Sequence, residues 1–300
     1  DVNGDGCDDM LILGMSNIYV VFGQKGDRSD VLLDSSLSSS GRGFFINIDG
    51  LVSNPVVDVK GSGDMNKDGL GDIVVGLCDY LTSGPNYAWV IYGQKDGSTD
   101  IVLSASLDPL RGFLIEAPSS GIQFGKAVSS LKDMNGDGFD DVAIGAPYDD
   151  SGRVYIIFGG PRRQQSLILN DCVGEGNCVR FTSSTGDSFG SAVSLGDVDG
   201  DGFPDILIQC SPESYIVYGN EQGFSNMVIP DVGQSSNQVS MILSSDSSFP
   251  IFTISIIRDI KGDNLDEMII VCYPEPGTPG LQISYVIYGM VLRTSSLYLP

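Results

Sequence analysis

A nine-residue acidic loop occurs five times in this chain of 300 residues, each time running into an apolar strand, and that repetition constrains the fold more than any other feature. The copies are D-V-N-G-D-G-C-D-D (Asp1 to Asp9), D-M-N-K-D-G-L-G-D (Asp64 to Asp72), D-M-N-G-D-G-F-D-D (Asp133 to Asp141), D-V-D-G-D-G-F-P-D (Asp197 to Asp205) and D-I-K-G-D-N-L-D-E (Asp259 to Glu267). They start 63, 69, 64 and 62 residues apart. A period of that length, with strand signals between the loops, describes a repeat architecture whose unit is a small sheet.

Each loop opens into a short apolar run, such as I-V-V-G-L after Asp72 or V-A-I-G-A-P after Asp141. A second signature follows, an aromatic, two β-branched residues, an aromatic and a glycine, ending at Gly23, Gly93, Gly159, Gly219 and Gly289. Side chains that are apolar on both faces of a strand imply a sheet covered on both sides. A third run comes later (G-F-L-I-E-A and its counterparts), and a fourth leads into the next loop, as in F-G-K-A-V-S-S-L at Phe124. The expected fold is therefore all-β, a β-propeller of four-stranded antiparallel blades. Residues 1–300 read as a single propeller domain or a large part of one. The strand runs count to 18, two short of five closed blades, and a longer parent protein with seven blades is favoured over five.

Alternating oxygen side chains, a turn glycine and a closing carboxylate are the pattern by which a hard cation of calcium's size is wrapped. Positions one, three and five supply side chains: Asp1, Asn3 and Asp5; Asp64, Asn66 and Asp68; Asp133, Asn135 and Asp137; Asp197, Asp199 and Asp201. Position seven offers its backbone carbonyl (Cys7, Leu70, Phe139, Phe203), and position nine closes the shell (Asp9, Asp72, Asp141, Asp205). Calcium, about four ions, is the expected cofactor, and magnesium is the weaker candidate because it demands a stricter octahedron. An EF-hand would need a carboxylate at position twelve, where Ile12, Val75, Ile144 and Ile208 stand. Plain Asn-Gly or Asp-Gly hairpin turns are the alternative, yet a turn needs no cluster of mutually repelling carboxylates. In the fifth loop Lys261 occupies the third ligand position and Asn264 the glycine position, so an ammonium is expected there in place of an ion.

The formal net charge is −23, and the five loops hold 19 of the 39 acidic residues, so the acidity is local. With only 16 Lys and Arg and no basic stripe, nucleic acid is excluded as a partner. Histidine is absent, which excludes a Ser-His-Asp triad, and with no C-x-x-C spacing it also excludes a conventional zinc site. No apolar run is long enough for a membrane helix. Cys172 and Cys178 flank the polar turn V-G-E-G-N and are expected to form a short disulfide, whereas Cys7, Cys78, Cys210 and Cys272 read as small hydrophobes. The D-S-S-L-S run at Asp34 to Ser38 and the K-G-D tripeptide at Lys25 to Asp27 read as ordinary turns.

The segment from Phe124 to Pro147, F-G-K-A-V-S-S-L-K-D-M-N-G-D-G-F-D-D-V-A-I-G-A-P, resembles the FG-GAP repeat of integrin α-subunit propellers and of many secreted proteins. Only repeats three and four keep the Phe-Gly pair, and only repeat three keeps Gly-Ala-Pro. The resemblance implies calcium at one face of the disc, partner contacts elsewhere, and an extracellular or cell-surface adhesion and interaction module that binds other proteins or surface glycans. Two further expectations stand beside it: a structural subunit that assembles with itself in an extracellular fibre or matrix, and a non-catalytic propeller attached to a secreted hydrolase.

Overall fold

The computed structural model describes all residues except 27–28, 53–54, 62, 80–85, 96–98, 131, 163–165, 170–173, 185–187, 211–213, 230–238, 245–250, 258, 273–282, 290–295 and 300. Repeat one contributes β1 (Met10–Leu13), β2 (Asn17–Val21) and β3 (Gly43–Asn47). Repeat two contributes β4 (Pro55–Gly61), β5 (Ile73–Asp79), β6 (Tyr87–Ile91), the short β7 (Ile101–Val102) and β8 (Gly112–Glu116). Repeat three follows the same order with β9 (Ala127–Ser130), β10 (Val142–Ala146), β11 (Arg153–Ile157), β12 (Leu167–Ile168) and β13 (Cys178–Ser183). Repeat four holds β14 (Val193–Gly196), β15 (Asp205–Gln209), β16 (Ser214–Val217), β17 (Met227–Ile229) and β18 (Val239–Ser244). Repeat five has β19 (Ile251–Ile257), β20 (Glu267–Cys272), β21 (Ile283–Ile287) and β22 (Ser296–Leu299).

In the middle repeats four strands pair antiparallel in chain order, β4-β5-β6-β8, β9-β10-β11-β13 and β14-β15-β16-β18. At the centre of repeat three, Val142 faces Ile157 and Ala146 faces Arg153. All 18 expected strands are present, and four more extend the sheets. β7, β12, β17 and β22 each reach back to the preceding repeat and pair in parallel with its last antiparallel strand, β3, β8, β13 and β18. These additions cover edges that would otherwise expose unpaired backbone groups, and they knit each repeat to the one before. The first strands β4, β9, β14 and β19 lie side by side in that order, so the sheets radiate from a hub. The fold is a β-propeller.

Between consecutive sheets lies a separate apolar core. That between repeats two and three joins Val74, Val90 and Phe113 to Phe124, Val142 and Ile144. Equivalent cores fill the other three seams. This explains the two-faced strands: every residue of β5, β10 and β15 is buried, because each sheet is covered on both sides.

The Phe-Gly pairs hold the sheets at their closest approach. A Cβ on Gly76 of β5 would lie 2.2 Å from the Gly125 carbonyl oxygen, and one on Gly145 of β10 would lie 1.9 Å from that of Gly190. Gly125 and Gly190 have φ of +86° and +88°, the left-handed region that glycine tolerates best. Their neighbours Phe124 and Phe189 are fully buried.

Candidate metal centre

Four of the five loops connect the first and second strands of their sheets, and the first loop leads into β1, so all stand at the same corner of their repeats. Each is organised by its first carboxylate. Asp133 accepts the N–H groups of Gly136 (2.7 Å) and Asp137 (3.1 Å) on Oδ1 and that of Gly138 (2.6 Å) on Oδ2. Asp1 and Asp259 accept three N–H groups in the same way. Position five accepts the N–H of position seven, as between Asp137 and Phe139 at 2.9 Å. Position two, which carried no role in the sequence reading, is an apolar anchor: Val2, Met65, Met134 and Val198 are all buried.

Position nine is buried behind the loop in loops two to four, with Asp141 and Asp205 at 0% exposure and Asp72 at 1%, and is half-buried at Asp9 in loop one. Its two oxygens accept two amides. Asp141 takes Met134 N–H at 2.8 Å and Gly159 N–H at 2.8 Å, so one carboxylate clasps the loop to the glycine that ends the aromatic signature. The same clasp joins Asp9 to Val2 and Gly23, Asp72 to Met65 and Gly93, and Asp205 to Val198 and Gly219. Each oxygen keeps a second lone pair. Burial pushes the Asp72 and Asp141 carboxyls up to about 7 and that of Asp205 up to about 8, against the pull of their two amides. Nearby loop carboxylates add to the rise.

Where oxygens converge, they fit a cation. Asp197, Asp199 and Asp201 each bring an oxygen within 4.8 Å of the others, while position nine stands outside this group. Asn66, at position three of loop two, is 8% exposed, and neither its amide oxygen nor its nitrogen has a hydrogen-bond partner. An unpartnered buried oxygen costs about 1–3 kcal/mol, and a cation between Asp64 and Asp68 would satisfy it. In the fifth loop the longer Glu267 side chain reaches inward, and its oxygen lies within 4.8 Å of those of Asp259 and Asp263. Glu267 is fully buried. Its Oε2 accepts Ile260 N–H at 2.7 Å, and its Oε1 has no partner.

Family comparison agrees with this geometry. Residues 124–157 and 189–208 match the FG-GAP repeat.

Repeats three and four are FG-GAP repeats. Over 149 residues it is 34% identical to integrin alpha-7 of Rattus norvegicus, covering 48% of this chain and 12% of that protein. Over 156 residues it is 35% identical to phosphatidylinositol-glycan-specific phospholipase D of Bos taurus, covering 49% of this chain and 17% of that protein. A solved structure of BBS1N in complex with ARL6DN aligns over 90% of this chain and 74% of its own with TM-score 0.43 and 11% identity. The propeller assignment rests on the sheets and the repeats.

Three cationic side chains modify the acidic loops. Lys261 pairs with Asp263 at 2.9 Å and lies over the Tyr288 ring, with its ammonium proton held more tightly by that carboxylate. Lys67 takes the place of the glycine at position four of loop two, at φ 60°, and its ammonium lies 5.5 Å from the centre of the Phe139 ring in loop three. Arg162 was not legible as a site residue. It follows β11, yet its Nη2 reaches Asp68 Oδ2 in loop two at 2.6 Å, its Nη1 the Leu110 carbonyl at 3.1 Å, and its plane the Tyr92 ring. Asp68, Lys95, Leu110 and Arg162 help to line a cavity of about 450 Å³ beside that loop.

Cys78, Cys210 and Cys272 are buried, as expected of small hydrophobes, with Cys210 and Cys272 in inter-sheet cores, and Cys7, in loop one, is half-buried. Cys178 is buried at the head of β13, while Cys172 lies outside the described residues. Asp34 folds a local turn by accepting the N–H and hydroxyl of Ser36 at 2.8 and 2.6 Å. Lys25 is described and Asp27 is not. Among the described residues no helix is long and apolar enough to cross a membrane.

Proposed function

We propose that this FG-GAP propeller binds calcium in loops one to four and acts outside the cell as an adhesion or protein-interaction module. The observation that carries the reading is the convergence of oxygens at Asp197, Asp199 and Asp201 in loop four, supported by the unpartnered Asn66 oxygen in loop two. Ligands at positions one, three and five would come from Asp1, Asn3 and Asp5, from Asp64, Asn66 and Asp68, from Asp133, Asn135 and Asp137, and from Asp197, Asp199 and Asp201. The carbonyls of Cys7, Leu70, Phe139 and Phe203 and the carboxylates of Asp9, Asp72, Asp141 and Asp205 would complete the shells. Exposed carboxylate loops of this kind fit the weak affinities, on the order of 10⁻⁴–10⁻³ M, of extracellular calcium modules.

The ion is structural in this reading. It neutralises carboxylates that otherwise repel one another and holds the loops rigid for a partner. Other proteins or surface glycans are the partners proposed, and the similarity to integrin alpha-7 supports the protein class. The whole chain belongs to one domain, and Cys172 and Cys178 form its disulfide.

One observation favours a second reading. The similarity to a phosphatidylinositol-glycan-specific phospholipase D supports a propeller that accompanies a hydrolase without supplying its chemistry. For the fifth loop we propose that Lys261 stands in for an ion, and its pairing with Asp263 supports this. The unpartnered Glu267 Oε1 favours the alternative of a fifth ion.

Calorimetric titration with calcium decides these points. Four ions are expected, each position-five variant (Asp5→Ala, Asp68→Ala, Asp137→Ala, Asp201→Ala) removing one. No uptake at millimolar calcium sinks the calcium reading, and five ions, reduced to four by Asp259→Ala, establish the fifth site. Calcium-dependent capture of the chain on cell surfaces, lost in chelator, is the expected result for the interaction module. Calcium-driven filaments under the electron microscope would point to a fibre subunit instead.

A further inference from the structure

Position eight of the loops varies in a way that no ligand pattern requires: Asp8, Gly71, Asp140, Pro204 and Asp266. Asp140 reaches out of its own loop. Its Oδ2 accepts the N–H of Asp64, the first residue of the preceding loop, at 2.8 Å, and the N–H of Asp133, the first residue of its own, favours its charged form. Asp266 repeats the arrangement one pair further on, taking Asp197 N–H on Oδ2 at 3.0 Å and Asp259 N–H on Oδ1 at 3.2 Å. Each bridge is closed in reverse through the backbone, by Asp140 N–H to the Asp64 carbonyl (3.2 Å) and by Asp266 N–H to that of Asp197 (2.9 Å).

Room for the bridges is built into the chain. A Cβ on Gly63 would lie 2.0 Å from Asp140 Oδ2, and one on Gly196 would lie 2.4 Å from Asp266 Oδ2. Before loop three the corresponding residue is Lys132, and there the next loop offers Pro204, which has neither an N–H nor a carboxylate. Glycine and aspartate are thus matched across each bridged seam, and both are missing at the seam between loops three and four. Because Asp140 already serves Asp133, and Asp266 already serves Asp197, no first-position amide is left without its carboxylate at that seam.

We propose that Asp140 and Asp266 are positioning residues that tie the acidic loops into two pairs, cation loop two with cation loop three and cation loop four with loop five, with no such tie between three and four among the described residues. The proposal rests on the reading of the loops as cation sites. The first residue of each loop supplies the first ligand, so a carboxylate hydrogen-bonded to two successive first residues senses order in both. A cation that fixes Asp133 fixes Asp140, and Asp140 then holds the Asp64 backbone where its carboxylate meets the neighbouring ion. This is a coupling free energy carried by one side chain, and it acts equally in both directions.

The test follows amide hydrogen exchange on peptides covering each loop of the intact chain during a calcium titration, which gives one midpoint per loop. Asp137→Ala removes the position-five ligand of loop three and leaves the bridge untouched. It is expected to move the midpoint of loop two about fivefold or more to higher calcium and to leave that of loop four in place. Asp201→Ala, in loop four, is expected to leave loops two and three in place. Asp140→Asn should raise the midpoints of loops two and three together, and in its background Asp137→Ala should no longer move loop two. A loop-two midpoint that ignores Asp137→Ala, or equal shifts in loops two and four, overturns the pairing. Failure of the cation reading itself looks different, because then calcium changes exchange in no loop. Should Asp140→Asn fail to fold, the comparison of Asp137→Ala with Asp201→Ala still decides.

Discussion

At the scale of single residues, position nine does two jobs that differ in visibility. Its carboxylate was expected as a ligand, and the structure adds a clasp on two backbone amides that joins the loop to a strand end 18 residues later in repeat three. Asp141→Ala is expected to destabilise the protein by about 2–4 kcal/mol, because the Met134 and Gly159 amides lose their acceptor inside the fold. Urea unfolding in chelator measures it, and Asp141→Asn should cost less. The same residues set a pH dependence. In the cation-free protein Asp72 and Asp141 hold protons up to about pH 7 and Asp205 up to about pH 8, whereas the ordinary value is 3.8. Between those limits the folded state binds more protons than the unfolded one, so stability falls as pH rises through that window. The melting temperature of chelated protein is therefore expected to drop from about pH 5 to about pH 8, and Asp141→Asn should flatten the slope. Calcium uptake near pH 6 should release protons to the buffer, by about one per clasp at most.

At the scale of elements, the strands were legible because β-branched and aromatic residues fill both faces of the second and third strands in every repeat. The parallel strands β7, β12 and β17 were not, since two or three residues carry no period, and their pairing depends on where the preceding sheet ends. The Phe-Gly and Gly-Ala-Pro motifs were legible as letters, but their reason is spatial. Gly145 sits against the Gly190 carbonyl of the next sheet, and Gln209 takes the Gly145 position in repeat four. Gly145→Ala is expected to cost about 1–3 kcal/mol by forcing β10 away from Gly190. Denaturant unfolding reads the loss. A change below about 0.5 kcal/mol would mean that the seam yields without cost.

At the scale of the whole molecule, 19 of 39 acidic residues crowd into 45 positions at one corner of the repeats, so under the proposed calcium reading cation binding and folding are one equilibrium. Chelation is expected to lower the melting temperature by several degrees or more, with exchange rising first at the loops, and calorimetry with and without chelator checks it. Raising sodium chloride to about 0.5 M should raise the melting temperature of the chelated protein, because screening relieves its self-repulsion. The calcium-loaded protein should respond less, since its loops are already neutralised.

The repeat, the strand pattern and the oxygen spacing are local properties, set by which side chains stand within a few residues of one another, and the amino-acid order alone determined them. That was enough for the β-propeller, for the four candidate cation loops and for the anomaly at Lys261. The clasp of position nine joins a loop to a strand end of its own sheet, whereas Arg162 on Asp68 and the carboxylates of Asp140 and Asp266 shared between loops join residues from different sheets. Their partners are chosen by how closely the sheets pack around the hub, at glycines such as Gly63 and Gly196 that leave space for a neighbour's side chain. Contacts of that kind depend on distances across a seam, and only the tertiary structure decided them.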